Sequence, residues 1–278
     1  MTDLAGPRDR ISLLVVLTAT VGASIVLWLF LVVAQPWAVG ARPATCLSTR
    51  CFCEAERSGP IAQPANTWSS LAYVALGAWA VVRFVRGSGR TRAGSSGLLI
   101  PAAALVMCVI GLTSAFYHAT LTFLGQYLDV MSMYLLGALL ICGALWRRGS
   151  LGEGAALMAF VAMVVALGVA QYVDPELRRV LFAVVLVPGI ALELTTRVHG
   201  VSPPDRRLAA LRGGIALMAL GYAFWLLDQF DVLCWPESLF QGHAAWHTLT
   251  AAAAGLLVLH YAGTPRPSAR GVRRTSSL

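Results

Sequence analysis

Residues 97–119 read GLLIPAAALVMCVIGLTSAFYHA, a run of 23 residues without Asp, Glu, Lys or Arg. A helix of about 20 apolar residues matches the thickness of the hydrocarbon core of a bilayer, so this run predicts a transmembrane helix. Seven further apolar runs follow the same pattern, at residues 12–34, 66–86, 125–146, 153–171, 179–196, 209–228 and 241–262. The chain is 58% hydrophobic and 12% charged, about half the charge of a soluble domain. We therefore expect one all-α membrane protein.

The positions of the basic residues predict the orientation in the membrane. All 21 basic residues are Arg, and cytoplasmic loops of membrane proteins are enriched in such residues. With a cytoplasmic N-terminus, 16 Arg fall on the cytoplasmic side and 5 on the other side. The count predicts that residues 1–11 are a cytoplasmic N-terminus, that 35–65 are an extracytoplasmic connection, and that 263–278 are a disordered, basic cytoplasmic tail. Because the Arg lie in short loops and not on one folded surface, we expect no nucleic-acid partner.

The first apolar run has two interpretations. It is either the apolar core of a cleaved signal peptide or an uncleaved helix. Its length of about 23 residues and the lack of a clear small-residue cleavage site favour a transmembrane helix at 12–34. The absence of Lys from the whole chain excludes a retinal Schiff base as a cofactor linkage.

Three of the five His are expected at one level of the membrane. His118 ends the third run, and His243 and His247 begin the last one, so the Arg-based topology places all three near the extracytoplasmic side. A spacing of four puts His243 and His247 on one helix face, the arrangement by which one helix offers two imidazoles to one ion. Zinc with three His keeps its fourth position for water, which is typical of catalytic sites. The competing interpretation is a chance pair packed against lipid headgroups, although polar residues at this depth are usually functional.

Two other polar residues fall close to the three His. Ser114 lies four residues before His118, on the same helix face; alternatively, its hydroxyl bonds its own helix backbone. Asp129 begins the fourth run, where a carboxylate is either a helix cap or a general base beside a metal. The other two His are different: His199 lies in a predicted cytoplasmic loop, and we expect His260 to be solvated or interfacial.

The order of these segments resembles the sequence signature of the alkaline ceramidase family. The stretch Ser114-Ala-Phe-Tyr-His118, followed by Gly125-Gln-Tyr-Leu-Asp129, is similar to the family's S-x3-H…D motif. The stretch His243-Ala-Ala-Trp-His247 is similar to its H-A-x-W-H motif. Cys53-Glu54 and the segment from Gln63 to Ser69 resemble the start of the family's first helix.

The resemblance implies a fold and a site. The wider superfamily, which includes the progestin and adiponectin receptors, implies a seven-transmembrane-helix bundle at 66–262, with 12–34 as one extra helix. It implies that zinc is bound by His118, His243 and His247, that Ser114 positions the water or stabilises the oxyanion, and that Asp129 is the base and proton carrier. It also implies a disulfide from Cys53 to Cys234. Cys46–Cys51 is a second candidate pair. Glu54 and Glu56 are the candidates for a calcium site, but Cys51 and Gln63 stand where acids are expected, which argues against calcium and for two solvated carboxylates.

Three hypotheses for the function follow. The first is a zinc-dependent amidase that uses a zinc-activated water to hydrolyse the N-acyl amide of ceramide-like lipids to a fatty acid and a sphingoid-type amine. The second is a zinc-containing, lipid-binding, receptor-like protein with little or no hydrolase activity. The third is bis-His haem ligation within the bundle. The all-Arg, Ala- and Gly-rich composition favours a bacterial plasma membrane as the location.

Overall fold

The structure is a computed structural model that describes residues 7–38, 41–48, 51–86, 96–196 and 205–262. These ranges contain eight α-helices and no strand, which confirms the all-α prediction. The helices are α1 (Pro7–Ala38), α2 (Pro64–Arg86), α3 (Ser96–Thr120), α4 (Phe123–Arg147), α5 (Glu153–Val173), α6 (Arg178–Thr195), α7 (Asp205–Gln229) and α8 (Gly242–Tyr261). The predicted basic tail at 263–278, the first six residues and the loop with His199 lie outside the described residues.

Four of the described helices are long and apolar enough to cross a membrane. They are α4, α5, α7 and the Leu98–Thr120 part of α3. α2 carries Asn66 and Thr67 in its first turn, and α8 carries His243 and His247 in its first two turns. These polar side chains are buried inside the bundle. They therefore do not face lipid.

Close contact between α2 and α3 positions the site. A Cβ on Gly111 of α3 would lie 3.0 Å from the carbonyl oxygen of Ser70, and a Cβ on Gly77 of α2 would lie 2.9 Å from that of Ala104. Such approaches are possible only for small residues, as is common between membrane helices. Because the two backbones are this close, the hydroxyls of Ser70 and Ser114 lie 3.1 Å apart.

The turn between α3 and α4 sets the start of α4. Leu121 adopts a left-handed conformation with φ of 48°, and the Thr122 hydroxyl accepts the backbone N–H of Gly125 at 3.1 Å. Thr122 is therefore the N-cap of α4, and the helix begins at Phe123. The interpretation of Asp129 as a helix cap is wrong, because Asp129 lies more than one turn inside α4.

Two disulfides fasten the loops next to the starts of α2 and α8. The structure pairs Cys46 with Cys51, the second candidate pair, and Cys53 with Cys234, the pair that the family resemblance implied. The second bond crosses 181 residues of sequence and joins the loop before α2 to the loop before α8. The N-terminal ends of these two helices are thereby held together at the end of the bundle that carries the three His.

Candidate metal centre

Three buried imidazoles converge at this end of the bundle. His118 comes from α3, and His243 and His247 come from successive turns of α8. Each offers a ring nitrogen, and these atoms lie within 4.8 Å of one another. The Nε2 atoms of His118 and His243 face each other at 3.1 Å. The three side chains predicted from spacing are thus brought together.

Hydrogen bonds behind two of the rings indicate their tautomers. His118 Nδ1 lies 2.9 Å from the amide oxygen of Gln63, which can only accept, so the Nδ1 atom carries the proton. His247 Nδ1 lies 2.9 Å from the Ser69 hydroxyl and 3.2 Å from that of Ser70. Both hydroxyls can donate to the carbonyl oxygen of Asn66, which leaves their oxygens to accept from Nδ1. The Nε2 lone pairs of His118 and His247 therefore point into the centre.

This donor set fits a bound cation. The Nε2 lone pair of His118 faces Nε2 of His243 at 3.1 Å, and the Nε2 lone pair of His247 points into the same space, an arrangement that a cation can bridge. Among the described residues His243 Nδ1 has no hydrogen-bond partner, and no carboxylate joins the cluster. Three His, two of which hydrogen-bond through their second ring nitrogen, are a donor set that suits a zinc ion.

Ser114 and Asp129 lie beside the imidazoles. The Ser114 hydroxyl is 3.4 Å from His247 Nε2, so this side chain reaches across to α8. It also lies next to the carboxylate of Asp129 on α4. Tyr73 and Tyr117 lie close enough to Asp129 to sense its charge. The arrangement places a carboxylate and a hydroxyl next to a site that can hold a metal.

Sequence comparison agrees with this geometry. The family model described as ceramidase matches residues 45–265, which include every residue of the cluster. The chain belongs to the ceramidase family. A search of curated proteins finds no significant match. Family membership supports a hydrolase that acts on an amide, a lipid substrate and association with a membrane.

Sequence reasoning missed the residues that hold the ceramidase site in place. Asp228, at the end of α7, is fully buried and accepts the backbone N–H of His243 at 3.1 Å and that of Cys53 at 3.0 Å. It therefore links the first turn of α8 to the disulfide-bonded loop. A lone carboxylate in the apolar run WLLD was the available signal. Gln63 lay within a quoted motif, but nothing in the motif indicated its contact with His118.

The two candidate calcium ligands are in different environments. Glu54 is buried, and its carboxylate accepts the backbone N–H groups of Ala65 at 2.7 Å and Asn66 at 2.9 Å, which caps α2. Burial raises the pKa of Glu54 above its ordinary value, although these two hydrogen bonds oppose the shift. The expectation that Glu54 is solvated is wrong, whereas Glu56 is exposed. Within the described residues, neither belongs to a group that could hold a metal.

Proposed function

We propose that this ceramidase is a zinc-dependent membrane amidase that hydrolyses the N-acyl amide of ceramide-like lipids to a fatty acid and a sphingoid-type amine. One observation carries the proposal: three buried imidazoles that could hold a metal ion converge beside a hydroxyl and a carboxylate. A structural zinc site has no need of a neighbouring base. A hydrolytic site does need one.

The three His would hold the ion through ring nitrogens that face the centre. A zinc ion bound there would supply Lewis-acid chemistry, since it polarises a carbonyl and makes a nearby water more acidic. Gln63 and the Ser69–Ser70 pair keep the His118 and His247 rings in the orientation that the ion requires. Burial of the cluster excludes bulk water and strengthens each of these interactions.

Asp129 and Ser114 would carry out the proton transfer and the charge stabilisation. The Asp129 carboxylate takes a proton from the attacking water and delivers it to the nitrogen of the leaving amine. Ser114 lies beside this carboxylate, and once Asp129 is protonated the single O–H of Ser114 is free to donate to the oxygen that becomes negative as the amide is attacked. The amine leaves the tetrahedral carbon and takes up the proton of the new carboxylic acid, so the products are an ammonium and a carboxylate.

We also propose the predicted topology. The seven-helix domain spans 66–262 with α1 as an extra helix, both termini are cytoplasmic, and the site lies near the extracytoplasmic side of a bacterial plasma membrane. Both disulfides lie at the His end of the bundle, which supports this orientation because disulfides persist in oxidising compartments. The packing argues against haem, because the Phe52 ring centroid lies 3.9 Å from that of His243 and 4.9 Å from that of His118 and occupies space that a porphyrin needs.

The test combines metal analysis with an activity assay on the purified, detergent-solubilised chain. We expect about one zinc per chain and release of fatty acid from N-acyl sphingoid amides. A chelator should abolish the release, and added zinc should restore it. The control is His260→Gln, which changes a buried His far from the cluster and should retain zinc and activity. Stoichiometric zinc without cleavage of any lipid amide would reject the amidase and favour the receptor-like alternative.

A further inference from the structure

A groove of about 580 Å³ lies between α2, the N-terminal half of α8 and the loop that connects α7 to α8. Its volume is within the usual range for sites that bind small molecules and lipids. Its lining contains no charged side chain and is mostly apolar, with a concentration of aromatic and Leu residues: Trp68, Phe224, Leu233, Trp235, Leu239 and Phe240. Such a surface suits a hydrocarbon chain and not a charged headgroup.

The groove shares a wall with the candidate metal centre. Ser69 lines the groove, and its hydroxyl lies 2.9 Å from His247 Nδ1. Gly242 and Ala244 also line it, one residue on either side of His243. A hydrocarbon chain bound in the groove would therefore be separated from the His247 imidazole by a single side chain, that of Ser69. A lipid held there has its polar junction close to the site.

The α7–α8 loop, residues 230–241, has an apolar side and a polar side. Phe230, Trp235, Leu239 and Phe240 are 71%, 60%, 74% and 89% exposed, an unusual concentration of bare apolar surface for a loop in water. On the polar side, Glu237 forms an exposed ion pair with Arg57 at 3.7 Å. Aromatic residues at the ends of membrane helices lie in the interface between headgroups and hydrocarbon. The loop thus has its apolar side where a leaflet would cover it.

We propose that this groove binds one hydrocarbon chain of the lipid amide, which enters laterally from the leaflet at the His end, beneath an α7–α8 loop that lies in the bilayer interface. The proposal rests on the proposed function for the identity of the lipid. Continuity supports a lipid chain as the occupant: the groove opens between exposed Trp68 of α2 and exposed Thr248 of α8, on a bundle that associates with a membrane.

The test uses a lipid amide that carries a photoreactive diazirine in its sphingoid-type chain. The variant is Ala245→Leu, which fills the groove from α8. The matched control is Ala252→Leu, because Ala252 is also a half-buried Ala of α8 but does not line the groove. In nanodiscs, we expect photolabel on the peptides that contain Trp68 and Trp235. Labelling should be at least about tenfold weaker in Ala245→Leu, as for an overpacked site, and unchanged in Ala252→Leu.

Competition identifies the occupant. Unlabelled lipid amide should displace the probe, whereas an equal amount of phosphatidylcholine should not. Displacement by phosphatidylcholine would show a groove occupied by bulk lipid and would overturn the proposal, as would label confined to helices α5 and α6, which do not line the groove. Zinc content is measured in both variants so that a folding defect in Ala245→Leu is recognised. If it is found, Ala245→Val is used in its place.

Different outcomes would reject the chain-binding groove and the amidase reaction. Competed labelling of the groove without hydrolysis of any amide would reject the reaction and leave the chain-binding site. Hydrolysis that is equally fast in wild type and Ala245→Leu for long-chain and short-chain amides alike would reject the groove and leave the amidase. We expect Ala245→Leu to slow the long-chain amides selectively.

Discussion

Two buried polar clusters lie at opposite ends of α8, one with three His and one with a single His, and they differ in whether they contain an ion pair. At the His end, His118, His243 and His247 face one another through ring nitrogens. At the other end, His260 lies 3.4 Å from the carboxylate of Glu193, which is also ion-paired with Arg147. His247 and His260 are thirteen residues apart in α8, about 20 Å along its axis.

The two ends differ in whether they contain buried charges that are paired with each other. The Glu193 carboxylate is paired with Arg147, accepts a hydrogen bond from the Tyr261 hydroxyl at 2.9 Å and contacts His260, so this end satisfies its own charges. The expectation that His260 is solvated or interfacial is wrong, since it is 1% exposed within this network. The His end has the same burial but no anion among its three rings. Equal burial thus accompanies an ion-paired network at one end and, at the other, three imidazoles that could hold a metal ion.

The largest effect is expected from removal of an imidazole at the His end. His247→Ala should lose zinc and reduce lipid-amide hydrolysis by roughly 10⁴-fold or more, because ligands and base act as one unit. The measurements are zinc per chain and the initial rate of fatty-acid release. His260→Ala, at the opposite end of the same helix, should keep both zinc and activity while it lowers stability. A His247→Ala protein with normal zinc and a normal rate would contradict the assignment of the site.

Asp129→Asn separates the chemistry from metal binding. The amide keeps the shape of the side chain but cannot accept the proton, so kcat should fall by about 10²- to 10⁴-fold while zinc content is unchanged. Ser114→Ala provides the comparison, since it removes the hydroxyl that contacts both Asp129 and His247 and retains the carboxylate. An Asp129→Asn variant with an unaltered kcat would show that another group takes the proton.

Glu193→Gln tests how much the buried ion pair with Arg147, at the end of the bundle opposite the three His, stabilises the fold. It leaves the buried Arg147 guanidinium without a counter-charge, which should lower the free energy of unfolding by about 3–5 kcal/mol. Zinc content should be unaffected. Thermal unfolding in detergent measures the loss, and the double variant Arg147→Leu/Glu193→Leu should recover much of it, because it removes both charges. Loss of zinc in Glu193→Gln without loss of stability would mean that the two ends are coupled.

The sequence predicted those features that depend on local spacing. The length of apolar runs located the eight helices, and the four-residue spacing placed His243 and His247 on one face. Contacts between residues far apart in the chain could not be predicted from the sequence. Gln63 bonds His118 across 55 residues, and Ser69 bonds His247 across 178. Such pairs depend on how closely α2 packs against its neighbours, which no periodicity reveals. The cap interpretation of Asp129 failed because the start of α4 depends on the Thr122 hydroxyl, outside the apolar run.

The smallest expected effect is that of Gln63, which contacts the His118 ring but offers no ligand atom to the candidate metal ion. Its amide oxygen fixes the proton on His118 Nδ1 and so turns Nε2 toward the ion. Gln63→Leu should weaken zinc binding by about 10- to 100-fold, measured by competition with a chromogenic chelator. Gln63→Glu keeps an acceptor at this position and should bind zinc within a few fold of wild type, or more tightly, because an anion makes the imidazole a stronger donor. Gln241→Leu is the control, because this buried Gln bonds the loop carbonyls of Trp235 and Ser238 and not an imidazole. Equal zinc affinity in Gln63→Leu and wild type would mean that helix packing alone orients His118.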